Sequence, residues 1–436
     1  MPQFMPDDTH RVPPRPAGPR LAISLWDFSW YTQAGPGEPF ADLAAAFDQL
    51  VERGFNTIRI CAMPFLLFSG QVPADDELTV TGLGDDYGQG TRWYTVRGGY
   101  TLRPLARLEE LFTEAIAHDV RVIVSSWEYQ QSACFVTSDV WFRALDAVPG
   151  PERASVMATC LSRLVAHLDE LGLARAIAYV ELHNEVDNCS LVPASPDSHP
   201  GHYARLDGPL SAGLDLFRAQ RPDTLVTYSI RETWPQDMGD LPPAQVAHFH
   251  FYVYGVLGAL YEAVGLGHGT SPRPDHDQWP TPTLAGMLRA DAPDRDDYRP
   301  RSSWQSEATG IDHDLFYVHD WVEPDAWDLW MYEHYQEHRL AMEAQLSDWT
   351  AAVASLAGRW GVPAVLGEGV VGYTPLRARF EEDPVGRHLA DHTVRACLDA
   401  GFWGVMPTSN AAPHHPMWWT DVAWMRSVND AISHTE

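Results

Sequence analysis

The sequence predicts a single (β/α)8 barrel with long insertions after its second and sixth strands. Three observations lead there. Eight short apolar runs of β type recur over 436 residues. All but one are followed by a helical pattern before the next run, the rhythm of parallel βα units. Polar and aromatic residues also gather at the C-terminal ends of these runs, the edge at which such barrels carry their sites.

Residues 1–20 are rich in Pro and Arg and read as a flexible arm, which leaves 21–436 as one domain. The first strand, 21–25, leads into Trp26, Asp27 and Trp30. Residues 42–53 set Leu43, Ala46, Phe47, Leu50 and Val51 at helical spacing, and Gly54 stops that helix. Residues 56–60 form the second strand, and the Gly- and Asp-rich stretch 65–100 is the first insertion. Helix 104–118, strand 120–126, helix 152–171 and strand 177–185 follow. Next come helix 210–219, strand 224–230 and strand 246–253, the two strands joined by a short Pro-rich link. The second insertion, 255–325, is rich in Pro, Asp and His. Helical stretches over 325–360, strand 363–368, helix 387–399, strand 402–407 and a last helix complete the pattern. A barrel of this kind takes about 250 residues before insertions, so one elaborated domain accounts for the length.

Acidic residues outnumber basic ones by 59 to 30, a formal charge of −29. That balance argues against nucleic acid and anionic membrane as partners. No apolar run reaches a membrane-spanning length of about 18 residues. The N-terminus lacks the basic start and apolar stretch of a secretory signal. Five cysteines, scattered singly without a C-x-x-C pair, suit reduced thiols, so a cytoplasmic location is expected. The 17 Trp and 16 Tyr are numerous, and several stand in Pro- and Gly-rich loops, where ligand contact is the better reading.

The chemistry centres on Ala178-Tyr-Val-Glu-Leu-His-Asn-Glu185 and Ala364-Val-Leu-Gly-Glu-Gly369, two β-type runs that end in glutamates. On strands four and seven, Glu185 and Glu368 would face each other across the barrel mouth. One carboxyl kept protonated and one ionised are what glycoside hydrolysis needs. Arg59 ends the second strand and would keep Glu368 ionised. His248, His250 and Tyr252 share one face of the sixth strand by period two.

Tyr179-Val-Glu-Leu-His-Asn-Glu185 resembles the Glu-x-x-Asn-Glu signature of the clan A glycoside hydrolases, especially the family 5 cellulase-like enzymes. Leu366-Gly-Glu368 resembles their seventh-strand nucleophile, Phe55-Asn-Thr-Ile-Arg59 their second-strand arginine segment, and His250-Phe-Tyr252 their sixth-strand His-x-Tyr. The motifs span most of the barrel in the expected order. The resemblance implies a retaining glycosidase without cofactor or metal, Glu185 as acid/base with a raised pKa and Glu368 as nucleophile. It also implies that Asn184 bonds the sugar 2-hydroxyl, with Arg59, His250, Tyr252, Trp127 and Asp27 around the carbohydrate. The chain departs from the pattern at Val186, at Trp127-Glu128 where a His is usual, and at Met406-Pro-Thr-Ser409, which lacks the usual Trp. Trp418, with Trp419 beside it, is expected to supply that platform.

Blander readings stand beside these. Glu181 reads as a buried structural acid, because buried carboxylates need partners. Glu128 competes for the acid role. His268, His276, His313, His414 and His415 lie in loops and read as solvated. His248 with His250 would suit an amidohydrolase-like metal hydrolase, although no second His-x-His supports it. A non-catalytic sugar-binding barrel is the other alternative. The insertions at the active face, with no carbohydrate-binding module, favour exo action on short oligosaccharides or glycosides. Carboxyl groups about 5–5.5 Å apart would mean retention, and about 6.5–9.5 Å inversion.

Overall fold

The computed structural model describes residues 13–72, 77–193, 203–231, 238–267 and 278–434. Residues 13–20 carry no helix or strand, while 1–12 of the expected arm lie outside the described residues, as do His268 and His276.

Parallel strands whose two faces are both covered become apolar throughout, and that is what the eight runs deliver. In chain order the strands are Leu21–Asp27, Thr57–Cys61, Arg121–Ser125, Ile177–Glu181, the broken fifth strand, Ala247–Val253, Ala364–Val371 and Gly404–Val405. The fifth consists of Val226–Thr227 and Ser229–Ile230, interrupted at Tyr228, whose hydroxyl donates to the carbonyl of Pro242 at 2.6 Å. Every neighbouring pair is parallel. The first piece of the fifth strand pairs with the fourth and the second piece with the sixth, so the sheet runs almost all the way round. This is a mixed α/β fold with a nearly closed parallel barrel.

Helices cover the outside. Leu43–Glu52 starts at Asp42, whose side chain accepts the Ala45 amide, and Pro104–Ala117 starts with proline at its first position. Arg153–Glu170, Ala204–Gln220, Val385–Asp399 and Val422–His434 follow the third, fourth, seventh and eighth strands, and the stretch before the seventh is one 37-residue helix, Pro324–Trp360. None of the described helices is long and apolar enough to cross a membrane. Between strands two and three lie a short helix, Pro64–Phe68, and an antiparallel hairpin of Leu78–Thr81 with Gly98–Leu102. Between strand six and the long helix lie Val256–Ala263, Pro282–Met287, Ser303–Ala308 and His313–Trp321.

One difference bears on the site. The fourth strand is expected over 177–185 but ends at Glu181. Beyond it the chain stays stitched between its neighbours: Leu182 N donates to Thr227 O, Asn184 N to Ser126 O and Val186 N to Ser229 O. Glu185 itself takes a left-handed φ of +43°, which ends the extended run.

Candidate active site

Strand ends two, four, six and seven converge on one buried arginine. Arg59 donates through Nε and Nη2 to both oxygens of Glu181 at 2.9 and 2.8 Å. Its Nη1 reaches Glu368 Oε1 at 2.5 Å and its Nη2 reaches Asn184 Oδ1 at 2.6 Å. The guanidinium lies 4.5 Å from the centroid of the Trp127 ring. Burial costs Arg59 charge stability, but Glu181 and Glu368 more than offset it and its pKa rises. Burial likewise opposes ionisation of Glu181, and Arg59 overcomes it, drawing that carboxyl to about 2. Glu181 is therefore the arginine's fixed counter-ion.

Glu185 and Glu368 meet above this pair. One oxygen of each, together with His250 Nδ1, lie within 4.8 Å of one another. Glu368 Oε2 accepts from Tyr252 at 2.6 Å, so both its oxygens face donors, the arrangement of an ionised carboxylate. Glu185 Oε1 is 3.0 Å from His250 Nδ1, and its Oε2 accepts from Gln130 and Asn188 at 3.2 Å each. Both glutamates are almost wholly buried, at 2 % and 4 % exposure. The small cavity beside them is lined by Asp27, Trp93, Trp127, Gln130, Asn184, Glu368 and Tyr373, among others, and not by Glu185. The mouth is thus a covered pocket.

The electrostatics differ from the expectation that Glu185 would be the raised carboxyl. Burial raises it, yet hydrogen bonding and attraction from His250 outweigh burial and bring it to about 2. At Glu368 burial prevails over His250 and Arg59, and the neighbouring Glu185 adds to it, so that carboxyl stands above its ordinary value. At Glu185 the bridge to His250 decides, and at Glu368 burial does. To serve as an acid, Glu185 must carry the proton.

The expected site residues divide. Asn184, Glu185, Arg59, His250, Tyr252, Trp127, Asp27 and Glu368 come together at this mouth. Trp418 does not. It is fully buried on the outside of the barrel, stacked 5.8 Å from Phe55 and 4.5 Å from the Arg53 guanidinium, with Nε1 donating to Gln49. An apolar ring next to the Leu43–Glu52 helix gains more by packing than it could by facing water. Trp419 is 55 % exposed and stands over a separate hollow.

Glu128, the competing candidate for the acid role, has both carboxylate oxygens engaged by protein donors. It accepts the Phe65 and Leu66 amides, the Ser126 hydroxyl and the Trp141 indole, and so caps the Pro64–Phe68 helix. His248 and His250 do not form a metal pair. The Nε2 of His248 abuts Gly367 and its Nδ1 meets the Tyr179 hydroxyl at 3.2 Å. Glu185, His250 and Glu368 are close enough to hold a cation, but Arg59 already places a fixed positive charge against Glu368. His414 and His415, expected in solvent, are buried at 7 % and 1 % exposure, whereas His313 contacts Tyr87 and Arg299.

Several contributors escaped notice in the sequence. Gln130 bridges Asn184 and Glu185, accepting from Asn184 Nδ2 at 2.8 Å and donating to Glu185 Oε2 at 3.2 Å. Ser229 accepts the Glu185 amide at 2.9 Å, and Ser409 links Tyr252 to the Gly369 amide. Each is a single polar residue without period or motif. The departures at Trp127-Glu128, close to Gln130, and at Met406-Pro-Thr-Ser409 were the nearest signals, and Ser229 had none.

A fold of this kind, with paired carboxylates under aromatic cover, defines the class to which the comparisons point. The family model for sugar-binding cellulase-like proteins matches residues 23–433, and the chain belongs to that Cellulase-like family. No curated protein matches it in sequence. Among solved structures it is similar to a candidate glycoside hydrolase from Parabacteroides distasonis, at 19 % identity and a TM-score of 0.66. The match covers 96 % of this chain and 94 % of the other. A glycoside hydrolase family 5 mannosidase from Rhizomucor miehei is 11 % identical over 96 % of this chain and 94 % of its own, with a TM-score of 0.45. An exo-β-1,4-mannosidase from an Opitutaceae bacterium is 14 % identical over 98 % and 63 %, with a TM-score of 0.44. At these identities the likeness is one of fold.

Proposed function

We propose that this protein is a retaining glycosidase that removes single sugars from the ends of short oligosaccharides or glycosides. The observation that carries the reading is the approach of Glu185 and Glu368 oxygens to within 4.8 Å, the short spacing that suits direct attack rather than an intervening water. Glu368, held by Arg59 and Tyr252, attacks the anomeric carbon. The proton of the Glu185–His250 bridge moves onto Glu185 and then to the leaving oxygen. Glu185 next accepts a proton from the water that releases the glycosyl-enzyme. Asn184, fixed between Arg59 and Gln130, is placed to bond the ring beside the anomeric centre. The family's sugar-binding description supports a carbohydrate ligand. The covered pocket, with chain from the segments after strands two and seven among its walls, supports exo action.

The test is a panel of aryl glycosides with wild type, Glu185→Gln and Glu368→Gln. Glu368→Gln is expected to lose turnover on every substrate by about 10³-fold or more. Glu185→Gln should lose least on the best leaving groups, because they need little acid assistance. Proton NMR of the first product should show the starting anomer. Inverted product, or internal fragments from a long polysaccharide without monosaccharide, would overturn the reading.

A further inference from the structure

Resting on the sugar pocket just proposed, we propose that Asp27 and Trp93, backed by His414 and His415, form its end wall and grip the hydroxyls of the terminal ring remote from the breaking bond. These four residues come from three separate places: the end of the first strand, the loop after the second and the loop after the eighth. Asp27 and Trp93 line the same cavity as Glu368 and Asn184. Behind them His414 Nε2 is 3.5 Å from Asp27 Oδ2, and the His415 ring stands edge-on to Trp93 at 5.2 Å. The two imidazoles are 4.1 Å apart.

All four side chains are more than nine-tenths buried. Four of their polar atoms nevertheless have no hydrogen-bond partner, namely Trp93 Nε1, His414 Nδ1 and both ring nitrogens of His415, while Asp27 Oδ2 and His414 Nε2 have only each other at 3.5 Å. A buried polar atom left unpaired costs about 1–3 kcal/mol, so a contiguous group of four is poor core and good recognition surface. The backbone agrees, since Asp27 and Trp93 hold left-handed φ values of +37° and +64°, as Glu185 does at +43°.

The donor set selects the ligand. Asp27 only accepts and Trp93 only donates. Burial, helped by His414 and Arg92, depresses His415 well below its ordinary value, so its neutral ring offers one of each. Sugar hydroxyls donate and accept together, and a neighbouring pair of them matches this alternation. A metal fits less well, because among the described residues only Glu185, His250 and Glu368 bring ligand atoms within mutual reach. On the far side the histidines border a separate hollow with Gln33, Arg97 and Trp419, so the four residues stand as a partition between the two.

Calorimetry with 4-nitrophenyl β-D-glucoside, β-D-mannoside and β-D-galactoside on the Glu368→Gln protein finds the parent ligand, and its 4-deoxy, 6-deoxy and 2-deoxy analogues follow. Loss of one remote hydroxyl should weaken binding about 30-fold in Glu368→Gln. It should cost less than about 3-fold once Asp27→Asn or His415→Phe is added, whereas the 2-deoxy penalty stays the same throughout. Equal penalties in all backgrounds, or none in Glu368→Gln, would overturn the wall. Wild-type turnover of the parent separates the two ideas. Binding with the expected coupling but no turnover sinks the glycosidase reading and keeps the wall. Turnover with flat penalties does the reverse, and no binding at all overturns both.

Discussion

Glu128 shows how a residue's neighbours decide its part. Two amides, a hydroxyl and an indole all donate to it, and of these only the Ser126 hydroxyl could turn to accept from an amide group. Glu128→Gln should therefore destabilise the fold by about 2–3 kcal/mol in denaturant titration. Turnover per folded molecule should stay within a few-fold; a complete loss would restore Glu128 as the acid. Arg59 is the opposite case. Lysine cannot span Glu181, Glu368 and Asn184 at once, so Arg59→Lys should cut kcat/KM by about 100-fold or more and leave KM less affected. Arg59, Glu185, Glu368, His250 and Tyr252 were legible because each is a polar residue in the middle or later part of an apolar strand, or just beyond it. Trp418 was misread because an aromatic in a Pro-rich loop looks the same whether it packs outward or lines a pocket. The orphaned His414 and His415 carried no such mark.

At the scale of elements, strands six and seven approach so closely at Gly367 that a Cβ there would stand 1.6 Å from His248 Nε2. Gly367 carries no positive φ, so its role is space rather than conformation. Gly367→Ala should cost about 3 kcal/mol and displace Glu368, its immediate neighbour. Adding His248→Ala should recover much of the stability and part of the turnover; no recovery would place the strain elsewhere. The strands and main helices were readable because burial on both faces and helical spacing leave strong periodic marks. The break at Tyr228 and the early end of strand four were not, since both depend on a single residue's φ or a contact across the barrel.

For the molecule as a whole, several buried groups hold abnormal proton affinities with opposite consequences for stability. Burial raises Glu128 and Asp320 to about 7 and Asp187 to about 6. Their contribution is complete below the unfolded pKa of about 4 and is lost as pH rises through the folded values. Burial lowers His183 to about 4 and His319 to about 3, so their contribution is present above about 6.5 and lost as pH falls. Glu181, drawn to about 2 against burial by Arg59, also loses its share in acid. The windows overlap near pH 6, where Tm should peak, and the growing negative charge reinforces the decline above it. A Tm that keeps rising from pH 6.5 to 8 would contradict this.

The single arginine that serves Glu181 and Glu368 leaves this cluster with more carboxylate than cation, and Asp27 adds a further acidic group to the wall of the same cavity. On the proposed mechanism, that excess is a ready-made counter-ion for a sugar that becomes positive as its bond breaks. Forming the glycosyl ester on Glu368 would remove one of these charges and leave Arg59 paired with Glu181 alone. A protonated ring-nitrogen sugar mimic should bind the free protein about 100-fold more tightly than its neutral lactam, and the preference should fall sharply in Glu368→Gln.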